Sequence, residues 1–339
     1  MRGSTDFTTE TLHTRVVLRR RIHGISAVLL PFRSEGRPDW EGFAAHVERT
    51  LQAGLTPAVN MDTGYVNLLT AGERRQVLSI AQQVTRGQVF IAGAFVEGDT
   101  GDLAGAYGRQ VEEVRKYGGR PILFPCSRLK ALDDREKLSV YRAVARSCGG
   151  PLLAFELGAA FASFGFIFGD DLVRGIVETP EFVGLKHSSL RRETEWRRLA
   201  LRDEVRPDFR IYTGNDLAID MVVYGSDYLL GLSTFAPDAF ALRDALWEQG
   251  DASFYELNDL LQYLGQFAFR RPTPAYKHSA AQFLYLRGQI RTEETHPASP
   301  RRPTSDRVVL DEILRRLEET MASITTQSGL APSPRPNGC

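Results

Sequence analysis

From about residue 22 to residue 250 the chain alternates short apolar runs with longer amphipathic stretches. The runs are Ile25–Pro31, Thr56–Met61, Val89–Ala94, Pro121–Phe124, Pro151–Phe155, Phe182–Leu185, Phe209–Tyr212 and Tyr228–Leu232. Each is too short for a buried helix and reads as a strand covered on both faces. Between them, Trp40–Gln52, Ala71–Thr85, Asp102–Tyr117 and Asp134–Arg146 carry apolar residues at helical spacing. Strand-helix alternation implies a parallel sheet. Eight such repeats predict a (β/α)8 TIM barrel over 22–250, a doubly wound sheet being the alternative.

Outside this region the pattern changes. Residues 1–21 form a mostly polar leader. From Ala252 to Gly288 the chain turns helical and aromatic, and a further helix is predicted over Asp306–Met321. We read 251–322 as a C-terminal helical appendage with apolar surface to bury on the barrel or on another subunit. Residues 323–339, ending in SGLAPSPRPNGC, have a disordered composition.

Composition narrows the function classes. The 339 residues carry 42 basic and 42 acidic side chains. This balance argues against nucleic acid as a partner. No run is long enough for a membrane helix and the N-terminus has no apolar signal core, so a cytoplasmic protein is expected. Cys126, Cys148 and Cys339 are far apart and show no metal-ligand spacing. No metal and no cofactor are expected.

Active sites of α/β barrels lie at the C-terminal strand ends. Lys186 ends the sixth apolar run, where burial would lower its pKa and leave an amine able to attack a carbonyl. A solvated cap is the plainer reading of a single such lysine. Other ends add Asp62, Thr63 and Gly64 after the second run, and Cys126 and Ser127 after the fourth. They also add Glu156 at the fifth, Gly214, Asn215 and Asp216 after the seventh, and Gly231 and Ser233 at the eighth. Plainer roles stand beside these: Asp62 can cap a turn, Glu156 can pair with an arginine, and the glycines can permit close packing. Cys126 can be a small buried apolar group. His187 follows Lys186 directly, so strand alternation turns it away from the barrel axis.

These motifs, in this order, resemble those of the dihydrodipicolinate synthase / N-acetylneuraminate lyase family of class I aldolases. The resemblance rests on Pro31-Phe32, the Thr63-Gly64 turn, Leu69-Thr70-x-x-Glu73 and Gly184-Leu185-Lys186. It continues through Gly214-Asn215-Asp216, Gly231-Leu232-Ser233 and Pro274-Ala275-Tyr276-Lys277, and covers roughly residues 22–320. It implies Lys186 as the Schiff-base lysine and Thr63 as a holder of the substrate carboxylate. It also implies a homotetramer or dimer. Three departures stand out. Asp62 replaces the threonine that relays protons, Phe155 occupies the place of the catalytic tyrosine, and no arginine lies near Ala160, where a dihydrodipicolinate synthase holds its second substrate.

Phenylalanine cannot move a proton. Asp62 and Glu156 are therefore the expected replacements, Glu156 with a pKa raised by burial beside Phe155 and Phe161, provided the strand bends to turn it inward. The expected function is a Schiff-base lyase acting on a 2-oxo acid or related carbonyl compound, not an authentic dihydrodipicolinate synthase. Two alternatives remain open. One is carboxylate or metal-assisted chemistry on a sugar or polyol without a Schiff base. The other is a non-catalytic barrel that binds a small acid. Thr63, Gly64, Ser127, Gly214, Asn215, Gly231 and Ser233 are the expected substrate contacts.

Overall fold

The computed structural model describes residues 7–328. Eight parallel strands close on themselves in sequence order: β1 (Gly24–Ala27), β2 (Thr56–Val59), β3 (Phe90–Ala94), β4 (Gly119–Leu123), β5 (Leu152–Leu157), β6 (Phe182–Ser188), β7 (Arg210–Thr213) and β8 (Asp227–Leu230). β8 pairs back onto β1, with Ser26 opposite Leu230. The doubly wound alternative is thereby set aside. A closed barrel has no exposed edge, which suits strands this short and apolar.

The helices are α1 (Thr9–His13), α2 (Trp40–Gln52), α3 (Ala71–Thr85), α4 (Leu103–Lys116), α5 (Ser127–Lys130), α6 (Asp134–Cys148), α7 (Asp170–Val177), α8 (Arg192–Val205), α9 (Pro237–Gln249), α10 (Ser253–Ala268), α11 (Tyr276–Leu286) and α12 (Asp306–Ser328). The Leu-Thr-x-x-Glu motif acts as a capping box that starts α3. Thr70 Oγ1 accepts from the Glu73 N–H at 3.2 Å, and Glu73 accepts from the Thr70 N–H at 2.8 Å. Asp133 and Glu136 start α6 in the same way.

The C-terminal helices form a cap packed on the barrel. Nine consecutive residues of α11, Tyr276 to Leu284, are buried. The Ile219 N–H donates to Gln262 of α10, and Gln262 donates to the Asp216 carbonyl, so α10 grips the loop after β7.

The C-terminal helix runs further than the sequence expectation. Where described, the leader is docked on the barrel: the Val17 N–H donates to the Val223 carbonyl, and Arg20 pairs with Asp227 at 3.0 Å. Residues 323–328 continue α12 and residues 329–339 of the expected disordered tail lie outside the described residues. No described helix is long and apolar enough to cross a membrane.

Candidate active site

Register decides which strand residues face the barrel interior. β5 and β6 pair Phe155 with Lys186, Glu156 with His187 and Leu157 with Ser188. Side chains alternate along each strand. Phe155, Lys186 and Ser188 therefore share one face, and Glu156 and His187 share the other.

Lys186 is only 4% exposed. Its Nζ lies 4.3 Å from the centre of the Phe155 ring and 3.7 Å from Asp62 Oδ1. Burial lowers its pKa, and the charges of Asp62 and Asp216 only partly oppose that shift. Gly214 makes room for this lysine. A Cβ there would stand 2.9 Å from Lys186 Cε and 2.1 Å from Ser188 Oγ. Ser188 Oγ is buried and has no hydrogen-bond partner among the described residues.

Asp62 comes from the turn after β2 and is 8% exposed. Its Oδ2 accepts a hydrogen bond from the Tyr276 hydroxyl at 3.0 Å. Thr63 Oγ1 lies 2.8 Å from the same hydroxyl. Tyr276 has one proton to give; if Asp62 takes it, the Thr63 hydroxyl must donate to Tyr276. The three form a chain of proton carriers: Thr63, Tyr276, Asp62. The Tyr276 ring stacks on Phe269 at 4.2 Å, and burial followed by the Asp62 charge pushes its pKa well up. Gly231 lies directly behind, where a Cβ would come within 3.2 Å of the Tyr276 ring and 3.3 Å of Thr63 Oγ1.

Asp216 completes the cluster. Its Oδ1 accepts from the Leu232 N–H at 2.7 Å. Burial raises its pKa to about 7, against the lowering effect of that hydrogen bond and of Lys186.

Glu156 corrects the sequence expectation. β5 runs regularly through it, so the bend that would turn it inward is absent. It lies outside the barrel wall, accepting from the Phe168 N–H at 2.9 Å and from Arg198 at 2.9 Å, with His187 Nδ1 at 2.5 Å. Burial alone would raise its pKa, but His187 and Arg198 carry it down to about 2. It is a structural anion, opposite in place and charge state to the acid expected. His187 faces outward with it, as alternation predicts.

Other expected contacts are occupied within the fold. Ser127 is exposed and donates its hydroxyl to Glu97 at 2.7 Å, away from the cluster, because it opens α5 at the surface. Asn215 turns its Oδ1 back onto the Leu217 N–H, and Ser233 bonds Ser26 and the Leu230 carbonyl. The Gly64 N–H donates to the Met61 carbonyl, so it too serves the turn. Sequence reasoning missed Tyr276 and Ser188 as site residues, and it placed Asp216 at a strand end without giving it a role. Ser188 could have been found from its i+2 relation to Lys186. Among the described residues, no group of three or more His, Cys, Asp or Glu is placed to hold a metal ion.

A sequence profile of the family described as "Protein of unknown function (DUF993)" matches residues 23–296. The chain is 26% identical to the 4-hydroxy-tetrahydrodipicolinate synthase of Kosmotoga olearia over 231 residues, 67% of this chain and 75% of the relative. It is 25% identical to the enzyme of that name from Chelativorans sp. over 256 residues, 74% and 84% of the two chains. Among solved structures, dihydrodipicolinate synthase from Thermotoga maritima superposes with a TM-score of 0.76 at 18% identity, over 88% of this chain and 99% of that one. A prophage protein of the dihydrodipicolinic acid synthase family from E. coli K12, in complex with pyruvate, gives 0.75 at 18% identity, over 88% and 98%. The two superpositions establish the shared barrel.

Proposed function

We propose that this chain, which belongs to the DUF993 family within the dihydrodipicolinate synthase / N-acetylneuraminate lyase group, is a class I aldolase-type lyase using Lys186. Its substrate is a 2-oxo acid or related carbonyl compound. One observation carries the reading: a buried lysine inside the barrel, with lowered pKa, set 3.7 Å from a carboxylate that is itself bonded to a tyrosine.

The neutral Lys186 amine attacks the carbonyl carbon, and the carbonyl oxygen takes a proton to give a carbinolamine. A second proton delivered to that oxygen lets it leave as water, forming the iminium. Asp62 is the carboxylate beside Lys186 Nζ, and Tyr276 and Thr63 resupply it. Breaking the C–C bond one carbon further sends its electron pair into the iminium, giving an enamine that is later reprotonated; for C–O cleavage the carbon next to the iminium first loses a proton to give the enamine, which then expels the oxygen with its bonding pair, and the oxygen takes up a proton. The leaving group takes or gives its proton through the same chain. Tyr276, from the C-terminal cap, thus stands in for the tyrosine that β5 lacks. Burial of Lys186 favours the neutral amine.

The reading separates this chain from an authentic dihydrodipicolinate synthase. No arginine follows β5 within the segment 158–169 to hold a second acidic substrate. Pyruvate and aspartate semialdehyde should show no condensation above background. A homo-oligomer is expected, Tyr255 and Tyr263 being exposed on α10, and light scattering on the purified protein tests that. A cytoplasmic setting accords with the composition.

The direct test is to incubate the protein with a panel of 2-oxo acids and neutral carbonyls, reduce with borohydride and read the intact mass. A mass gain matching a reduced imine supports the Schiff base. No gain with any carbonyl leaves Asp62 and Asp216 as an acid/base pair without it.

A further inference from the structure

Ser189, His187 and Glu156 form a hydrogen-bonded chain on the outer side of the barrel wall, and the chemistry above does not use it. His187 Nε2 lies 2.6 Å from Ser189 Oγ, and His187 Nδ1 lies 2.5 Å from Glu156 Oε2. Glu156 and His187 are fully buried, while Ser189 is half-buried where β6 gives way to the turn before α8. The chain therefore runs from an accessible hydroxyl to an enclosed carboxylate.

The proton positions follow from the partners. Glu156 is ionised, with a pKa of about 2, and can only accept, so a neutral imidazole carries its proton on Nδ1. Nε2 is then an acceptor and the Ser189 hydroxyl donates to it. The other acceptor within reach of that hydroxyl, the Arg191 carbonyl, is farther away at 3.3 Å. Arg198 and the Phe168 N–H hold the carboxylate from its other sides, each at 2.9 Å from Oε1. A carboxylate so fixed keeps the ring in one tautomer and one orientation, and stabilises the imidazolium when the ring takes a proton.

The backbone beside Ser189 supplies donors. Leu190 has a φ of +61°, uncommon for a residue other than glycine, and turns the chain sharply from strand toward helix. The N–H groups of Leu190, Arg192, Glu193 and Thr194 have no acceptor among the described residues, and α8 starts without a side-chain cap. The Arg191 N–H donates to Ser189 Oγ at 3.2 Å, a bond that strengthens as negative charge develops on that oxygen.

We propose that Ser189 is the nucleophile of a second site, separate from Lys186, that hydrolyses small carboxylic esters. Ser189 Oγ attacks the ester carbonyl carbon as His187 Nε2 takes its proton. The Leu190 N–H and the first N–H groups of α8 are the donors for the charge on the carbonyl oxygen. The adduct collapses with loss of the alcohol, which takes the proton from His187 and leaves Ser189 acylated. Water then attacks the acyl carbon and gives a proton to His187; the acid departs as Ser189 recovers that proton. Glu156 is a positioning residue throughout.

The test treats the full chain with a fluorophosphonate, which attaches phosphorus to an activated serine hydroxyl with loss of fluoride, and maps the adduct by peptide mass. Hydrolysis of p-nitrophenyl acetate is followed in parallel in the wild type, Ser189→Ala and His187→Gln. The adduct should map to Ser189, and hydrolysis should fall by about 10²-fold or more in both variants. Ser189→Ala removes one half-buried hydroxyl and keeps the test decisive if His187→Gln does not fold. An unlabelled Ser189 in the folded wild type overturns the proposal. So does the absence of hydrolysis above the buffer rate, or hydrolysis unchanged in Ser189→Ala. None of these outcomes depends on the Schiff base at Lys186.

Discussion

The Tyr276 hydroxyl donates to Asp62 Oδ2 over 3.0 Å, joining the C-terminal cap to the turn after β2 across 214 positions of sequence. The same carboxylate faces Lys186 through its other oxygen. Tyr276 thus places an ionisable hydroxyl in the cluster from outside the barrel strands.

Tyr276→Phe keeps the ring stacked on Phe269 and removes only the proton carrier. On a substrate found by trapping, it should lower kcat by roughly 10²-fold or more, the usual range for a general acid/base group. Asp62→Asn should do the same. The double variant should be little worse than either alone, because the two act as one relay. Steady-state kinetics on the three proteins check this; near-wild-type turnover in Tyr276→Phe removes it from the mechanism.

Glu156→Gln should act on stability and not on the Lys186 chemistry. It leaves the buried Arg198 and His187 without their shared anion, a loss of about 3–5 kcal/mol for a broken buried ion pair. The Glu156 pKa lies below its unfolded value, so the stability it contributes is present above about pH 4.5 and is lost as pH falls toward about 2. Denaturant titrations across that window should slope steeply in the wild type and less in the variant. Turnover per folded molecule should stay within about threefold of wild type, since Glu156 lies outside the reacting cluster.

How much of this was legible in the sequence follows from the range of the interactions. Strands and the Lys186 strand end were legible because burial on both faces leaves a local apolar run that stops at the barrel mouth. The outward course of Glu156 was equally legible, since it is paired in register with His187 and alternation turns both away. The missing tyrosine calls for another proton carrier, and only that chemical need points to Glu156 against its geometry. Tyr276 was not legible as a site residue. Nothing near it in sequence marks a hydroxyl whose partners lie on the second strand's turn, and only the docking of α11 brings them together. Ser127 misled because α5 begins there and carries it to the surface.

Asp216→Asn should change how stability depends on pH. The Asp216 pKa is raised from 3.8 to about 7 in the folded protein. A raised carboxyl favours folding below about pH 4, and that advantage is lost as pH rises through about 7. The asparagine oxygen can still accept from the Leu232 N–H. The variant should therefore gain stability relative to wild type between about pH 4 and pH 7, by up to a few kcal/mol, and hold that gain above. Melting temperatures at four or five pH values check the crossover; a difference independent of pH contradicts it.

The central claim is that Lys186 forms the covalent bond, and the cluster contains a rival in Lys277, a buried lysine whose pKa burial lowers and the Asp62 charge partly restores. Incubation with pyruvate, reduction with borohydride, digestion and peptide mass mapping decide between them. The account predicts a single adduct on Lys186 that disappears in Lys186→Ala and Lys186→Arg. An adduct on Lys277 or another lysine, or trapping unchanged in Lys186→Ala, would contradict it.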